Sequence, residues 1–209
     1  MTISFNPVAV NNFPGSFSTQ SQGYIQGFAL ADPAVMPSKL SAGYLASTET
    51  LPMWGGLPVS VTVPNPAATP ALPNIPQLAR STANAVTGAG SVGGFSVFDQ
   101  ASAMVQTPSS PVPLSGPLMA VNFFRLGSGA RIVVAIDSAL VTALAAGGVL
   151  ENVQTQWDFT TGALTTYTSG TALPVLIERW DSLGNSKTVS YSSPNATWAS
   201  GTYTAVIII

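Results

Sequence analysis

Apolar and polar side chains alternate along this chain in two different ways. From about Val92 onward, short apolar or alternating runs follow one another with turn residues between them. They are Gly94–Phe98, Ala103–Thr107, Met119–Leu126, Ala130–Ile136, Val153–Phe159, Ala163–Tyr167, Leu173–Trp180, Lys187–Tyr191 and Thr202–Ile209. Runs this short, rich in β-branched and aromatic residues, are the pattern of strands. About eight or nine at this spacing predict an all-β domain: a compact antiparallel β-sandwich, jelly roll or barrel. Three hairpins are expected. "NFFRLGSGARIVVAI" (Asn122–Ile136) turns at its "GSG", "WDFTTGALTTY" (Trp157–Tyr167) at Thr161–Gly162, and "LIERWDSLGNSKTVSY" (Leu176–Tyr191) at Gly184–Asn185. One short helix is expected: Asp137 or Ser138 can cap "ALVTALAA", and Gly147–Gly148 can end it. The closing "YTAVIII" has no polar alternation after Thr204, which predicts a strand buried on both faces, central in a sheet or covered by another subunit.

Ahead of Val92 the pattern is irregular. "LPVSVTV" (Leu57–Val63) alternates valines with Ser60 and Thr62 and predicts one short strand. "PNPAATPALPNIP" (Pro64–Pro76) repeats a residue that fixes φ and lacks a donor, so it is expected to form an extended, stiff strap. The chain therefore divides into residues 1–91, an extended N-terminal arm and Pro-rich strap with one strand, and 92–209, the β domain. With 19 Gly and 17 Pro distributed throughout, long helices are not expected.

Composition sharpens this picture. Charged residues are 7% of the 209, against about 25% in an ordinary soluble domain. Ser4–Ala31 contains no charged residue. Such a surface is either clothed in Ser, Thr, Asn and Gln or covered by other chains. The six Lys and Arg are scattered and the net charge is −2, so the clustered cations that nucleic acid requires are missing and no nucleic-acid partner is expected. There is no Cys and no His. That removes disulfides, thiolate metal sites, the commonest metal ligand and the usual neutral-pH base, so an enzyme, a cofactor and a metal site are not expected. Met1–Ala31 lacks the basic and continuously apolar regions of a signal peptide, and no apolar run approaches the roughly 20 residues of a spanning helix. A soluble protein made in a reducing cytoplasm, without a membrane partner, is the expectation.

The residues able to carry chemistry are few. Asp158, Glu178 and Asp181 lie beside Trp157 and Trp180, and a glycosidase would need two such carboxylates at about 5–5.5 or 6.5–9.5 Å. The plainer reading is a strand-end Asp158, a surface pair Glu178–Arg179 and an Asp181 that begins a turn. "QWDF" (Gln156–Phe159) and "RWDS" (Arg179–Ser182) read as core tryptophans followed by solvent-facing aspartates. "RLGSGARI" (Arg125–Ile132) lacks the Gly-Lys-Ser/Thr ending of a phosphate loop. As a hairpin it would set Arg125 opposite Arg131, where like charges need an acceptor. "NAT" (Asn195–Thr197) fits a glycosylation sequon but has no secretion signal with it. Trp54, in "LPMWGGLPV" (Leu51–Val59), must bury itself, against its own β domain or a neighbouring subunit.

Several stretches resemble a family of structural proteins of tailed bacteriophages: "NNFPGSFSTQSQGYIQGFALADPAV" (Asn11–Val35), "ASTETLPMWGGLPVS" (Ala46–Ser60), "GFSVFDQASAMV" (Gly94–Val105) and "SPVPLSGPLMAVNFFRLGSGARIVVAID" (Ser110–Asp137), with "QWDF" and the closing "GNSKTVSY…ATW…AVIII". The resemblance covers nearly the whole chain. By size, all-β character and neutral surface it is most similar to capsid decoration (cement) proteins. This implies a non-enzymatic role: binding the outer surface of the phage capsid and stapling neighbouring major capsid subunits. The implied location is the virion, after synthesis in the host bacterium.

The residues suit that role. An arm ordered on a partner loses about 1–2 kcal/mol per residue of conformational entropy, which Pro reduces and buried apolar area, at about 25 cal/mol per Å², offsets. Phe5, Phe13, Phe17, Tyr24, Ile25 and Phe28 can supply that area, and with Trp54 they are the candidate partner-binding residues. The expected partners are the major capsid protein and further copies of this chain, a trimer being favoured over a dimer because local three-fold sites recur on a shell. Two other readings stay open. One is a tail or head–tail junction protein. The other is a carbohydrate-binding or depolymerising surface protein using Trp157, Trp180 and Trp198. An outer-membrane barrel fits poorly with the irregular Pro-rich first third.

Overall fold

A computed structural model describes residues 23–30, 39–62, 77–80, 92–98, 105–107, 110–150, 153–170 and 172–209. Among the described residues the protein is mostly β, with one short helix. Five strands close into a barrel: β1 (Leu40–Leu45), β2 (Pro58–Thr62), β3 (Gln77–Arg80), β4 (Gly94–Ser96) and β7 (Ala120–Arg125), in the order β1-β3-β2-β4-β7. Only the β1–β3 pair is parallel. A second sheet has the order β11 (Leu176–Trp180), β13 (Asn195–Ile208), β8 (Arg131–Ile136), β10 (Ala163–Thr166), β9 (Thr155–Asp158), and β12 (Ser186–Ser192) pairs with the first half of β13. β5 (Val105–Thr107) and β6 (Ser110–Leu114) form a two-stranded ribbon.

Barrel and sheet share one core. Leu45, Leu78, Phe95, Phe123 and Phe124 from the barrel join Ile132, Trp157, Leu164 and Ile207 from the sheet. Phe95 meets Trp157 edge-on, with ring centroids 5.7 Å apart. Each fully buried side chain of this kind contributes about 1.5–3 kcal/mol. β4 runs so close to β7 that a Cβ on Gly94 would sit 2.1 Å from the Phe124 carbonyl oxygen.

All nine runs marked in the sequence after Val92 coincide with strands, and β6 is an additional one. Its "SPVPL" carries two prolines, which disguise it as a loop. β13 meets the expectation for "YTAVIII": it lies between β11 and β8, with Ala205, Val206 and Ile207 fully buried. The helix, α1 (Ser138–Ala145), is also where it was expected. The Asp137 side chain caps it by accepting from the Leu140 N–H at 2.8 Å, and Gly147 and Gly148 follow with positive φ.

Three expectations need correction. Before residue 92 there are three strands among the described residues, where the pattern marked one. β1 (LSAGYL) and β3 (QLAR) contain no β-branched residue, so neither signals itself; barrel closure supplies their pairing. The Pro64–Pro76 strap lies outside the described residues. The Asn122–Ile136 hairpin is not formed. β7 pairs with β1 and β4, while β8 pairs with β13 and β10. Gly127 and Gly129, at φ 79° and 71°, turn the chain from barrel to sheet instead, because both strands are buried almost throughout and each needs its own neighbours. Arg125 accordingly faces Gly94 and Arg131 faces Ile208, so the two arginines are not opposed. The Leu176–Tyr191 hairpin also fails. β11 and β12 pair not with each other but with the two halves of β13. The Trp157–Tyr167 hairpin is formed as β9–β10.

Candidate partner-binding segment and the cleft behind it

Of the seven candidate partner-binding residues, Phe5, Phe13 and Phe17 lie outside the described residues. Tyr24, Ile25 and Phe28 lie on the segment Gly23–Leu30, which is bound to its own chain on two sides. Toward β12, the Lys187 N–H donates to the Tyr24 carbonyl and the Gln26 N–H to the Lys187 carbonyl, each at 2.9 Å, a parallel bridge at Ile25. Toward β8, the Gly27 N–H donates to Val133 at 2.8 Å, Val133 to Phe28 at 2.9 Å and Leu30 to Arg131 at 2.8 Å, an antiparallel bridge at Ala29. The Phe98 N–H, just after β4, donates to the Gly27 carbonyl at 2.8 Å. One uncharged strap thus ties the sheet to the barrel.

Gly27 makes the crossing possible. Its φ is +87°, and a Cβ there would lie 2.6 Å from Gly55 and from the Phe98 ring. Phe28 packs edge-on against Phe98 at 6.1 Å, and Phe98 against Trp198 at 5.7 Å. Trp54, 8% exposed, stacks on Tyr191 of the same chain at 5.6 Å. Its burial is thus satisfied within the chain.

A buried polar node anchors the strap. Asp181 is fully buried, which corrects its reading as a solvent-facing residue. It accepts from the Leu183 N–H at 2.9 Å, the Ser186 N–H at 2.9 Å and the Ser186 hydroxyl at 2.7 Å. Ser186 Oγ also accepts from the Tyr24 N–H at 3.1 Å. With the Ser186 proton directed to the carboxylate, the 2.8 Å contact to Thr204 must carry the threonine's proton. The donors to Asp181 lie within five residues of it, as in a turn, but its burial was not signalled: Ser186 links it to Tyr24 and Thr204 from two distant segments.

The other chemical candidates are dispersed. Asp158 and Glu178 lie on the edge strands β9 and β11, four strand spacings apart, or roughly 19 Å at about 4.8 Å each, too far for a glycosidase pair. Burial raises the Asp158 carboxyl, but hydrogen bonds from Thr160 and Thr161 outweigh it and hold the group below its usual range. Glu178 pairs with Arg179, as expected, and with Arg131, each at 3.2 Å. Trp157 is a core residue and Trp198 packs on Phe98, so the three tryptophans form no shared platform.

Behind the strap lies a cleft of about 260 Å³, lined by Gln26, Trp54, Asp137, Thr161, Thr188, Thr202 and Tyr203 among others. Gln26, which the sequence reading passed over, is 2% exposed, and its Oε1 accepts from the Val189 N–H at 2.9 Å. The fold and these sites define a mostly β protein whose barrel and sheet are strapped together by an uncharged extended segment. No known protein family, no curated protein and no solved structure matches this chain.

Proposed function

We propose that this chain is a non-enzymatic structural protein of a tailed-phage virion. In this reading it decorates the outer surface of the capsid as a homo-oligomer and staples neighbouring major capsid subunits. The observation that carries it is the way Gly23–Leu30 is bound: through main-chain hydrogen bonds to two strands and through aromatic contacts, with no charged side chain of its own. Residues 1–22 have the same make-up, with Phe5, Phe13 and Phe17 and no charge. A segment of that composition can add to a strand edge on a partner as Gly23–Leu30 adds to β8 and β12. Many copies on one shell supply avidity, so each arm contact need only be modest.

Co-sedimentation with assembled capsids that lack the protein is the test. The full chain pellets with shells, and deletion of Thr2–Ser21, which spares the strap, weakens that binding at least about tenfold. A full chain that stays in the supernatant sinks the function. A deletion variant that binds as well as the full chain sinks the role of the arm.

A further inference from the structure

The cleft behind the strap gathers polar groups that keep hydrogen-bonding capacity to spare among the described residues. Because Gln26 Oε1 accepts from Val189, its Nε2 must point the other way. Among the described residues that nitrogen has no acceptor, although Gln26 is almost wholly buried and lines the cleft. The Thr188 hydroxyl, on a side chain about nine-tenths buried, likewise has no partner there. Asp137 spends one carboxylate oxygen on the helix cap, and the other has no hydrogen-bond partner among the described residues. The Tyr203 hydroxyl also has no partner among the described residues. Thr202 already donates to the Ser186 carbonyl at 3.1 Å and can still accept. Trp54 and Tyr203 add aromatic surface. These polar ends face one cleft with aromatic walls, and polar groups converging on such a cleft are the pattern of a ligand site.

We propose that this cleft binds a neutral polyhydroxylated ring, a single pyranose unit of a saccharide. The size fits: about 260 Å³ is just under the roughly 300 Å³ at which sites for larger ligands begin. The chemistry fits as well. No Lys or Arg lines the cleft and Asp137 does, which disfavours an anion. The Gln26 N–H groups disfavour a cation. Sugar hydroxyls are at once donors, for Asp137, and acceptors, for Gln26, while the C–H face of the ring packs on an aromatic side chain. The site uses none of Trp157, Trp180 and Trp198. It exists only while the strap is docked, since Gln26 belongs to the strap, and it does not depend on capsid binding.

Saturation-transfer and ¹⁵N-shift NMR on the full chain, with methyl pyranosides of glucose, galactose, mannose and N-acetylglucosamine as probes, tests this. At least one pyranoside binds and shifts the Gln26 side-chain amide and the Thr188 and Tyr203 backbone signals. Gln26→Glu keeps the acceptor for Val189 but removes the donor. Asp137→Asn keeps the helix cap but removes the free carboxylate oxygen. Each weakens binding about tenfold or more with the melting temperature unchanged. If Gln26→Glu disturbs folding, Asp137→Asn alone decides. The proposal is overturned if no pyranoside binds, if the shifts map elsewhere, if a stably folded variant binds as tightly as the parent, or if methylguanidinium displaces the sugars.

Discussion

The barrel is made of strands of 3–6 residues and the sheet is built around the 14-residue β13, and they finish differently. The barrel closes on itself through β7 and β1 and leaves no edge. The sheet ends in β9 and β11. At β11 a register shift between Ile177 and Arg179 and the charges of Glu178 and Arg179 interrupt the edge, devices that discourage unwanted strand pairing. At β9 a short bridge from Thr155 to Leu173 covers part of it. What the barrel achieves by closure, the sheet achieves with side chains and with the strap on β8 and β12. Burial of apolar area stabilises both; at the strap the sheet adds main-chain hydrogen bonds and the close approach that Gly27 allows.

Substitutions can break or sharpen this contrast. Phe95→Ala, at the contact between barrel and sheet, is expected to cost about 3–5 kcal/mol and to lower both parts in one thermal transition. Two separated transitions by calorimetry would show that the core is not shared. Asp181→Ala leaves three donors without their acceptor, at about 1–3 kcal/mol for a buried unsatisfied group, and the loss is expected near 3 kcal/mol. Hydrogen exchange at the Tyr24 and Gln26 amides should rise with it.

Gly27→Ala forces a side chain into the left-handed region and against Gly55. About 2 kcal/mol is expected, combining roughly 1–2 kcal/mol of backbone strain with the clash. The loss should be confined to the strap: faster exchange at Val133 and Gln26, with the amides of β1, β4 and β7 unchanged. Equal loosening of the barrel would make the strap part of the barrel's own stability. Arg131→Ala removes an ion pair that is half exposed on the arginine side; a few tenths of a kcal/mol, shrinking in high salt, is expected.

The smallest effect is that of Asp158. Its carboxyl is depressed in the folded state, so the unfolded chain binds its proton more readily. The stabilisation is present above the unfolded carboxylate range and lost as pH falls through the folded value. Urea titrations of the parent and Asp158→Asn should therefore converge at low pH. A gap that stays constant across that range would contradict the hydrogen-bond account.

The strands after Val92 other than β6, the α1 cap at Asp137 and the β9–β10 hairpin were legible because each depends on neighbours within a dozen residues. Alternation marks a strand, Asp before an apolar run marks a cap, and Thr161–Gly162 marks a turn. The strap's aromatics were legible as anchors, but their seat was not. Gly27 reads as any loop glycine until Gly55 and Phe98 are seen 2.6 Å from where its Cβ would be. Gln26 carries no periodic signal, since its role comes from Val189, more than 160 residues away.

The sequence by itself determined the mostly β character, the helix after Asp137, the buried last strand and the scarcity of charge. All of these follow from local side-chain pattern and composition. Only the tertiary structure decided which strands pair, and it overruled two hairpins by sending β7 into the barrel, β8 into the sheet, and β11 and β12 to opposite halves of β13. It alone placed Asp181 in a buried node and brought Gln26, Asp137, Thr188 and Tyr203 around one cleft. The physical reason is the same throughout. Strand propensity is set by nearest neighbours along the chain. Pairing and polar satisfaction are set by which surfaces must leave water together.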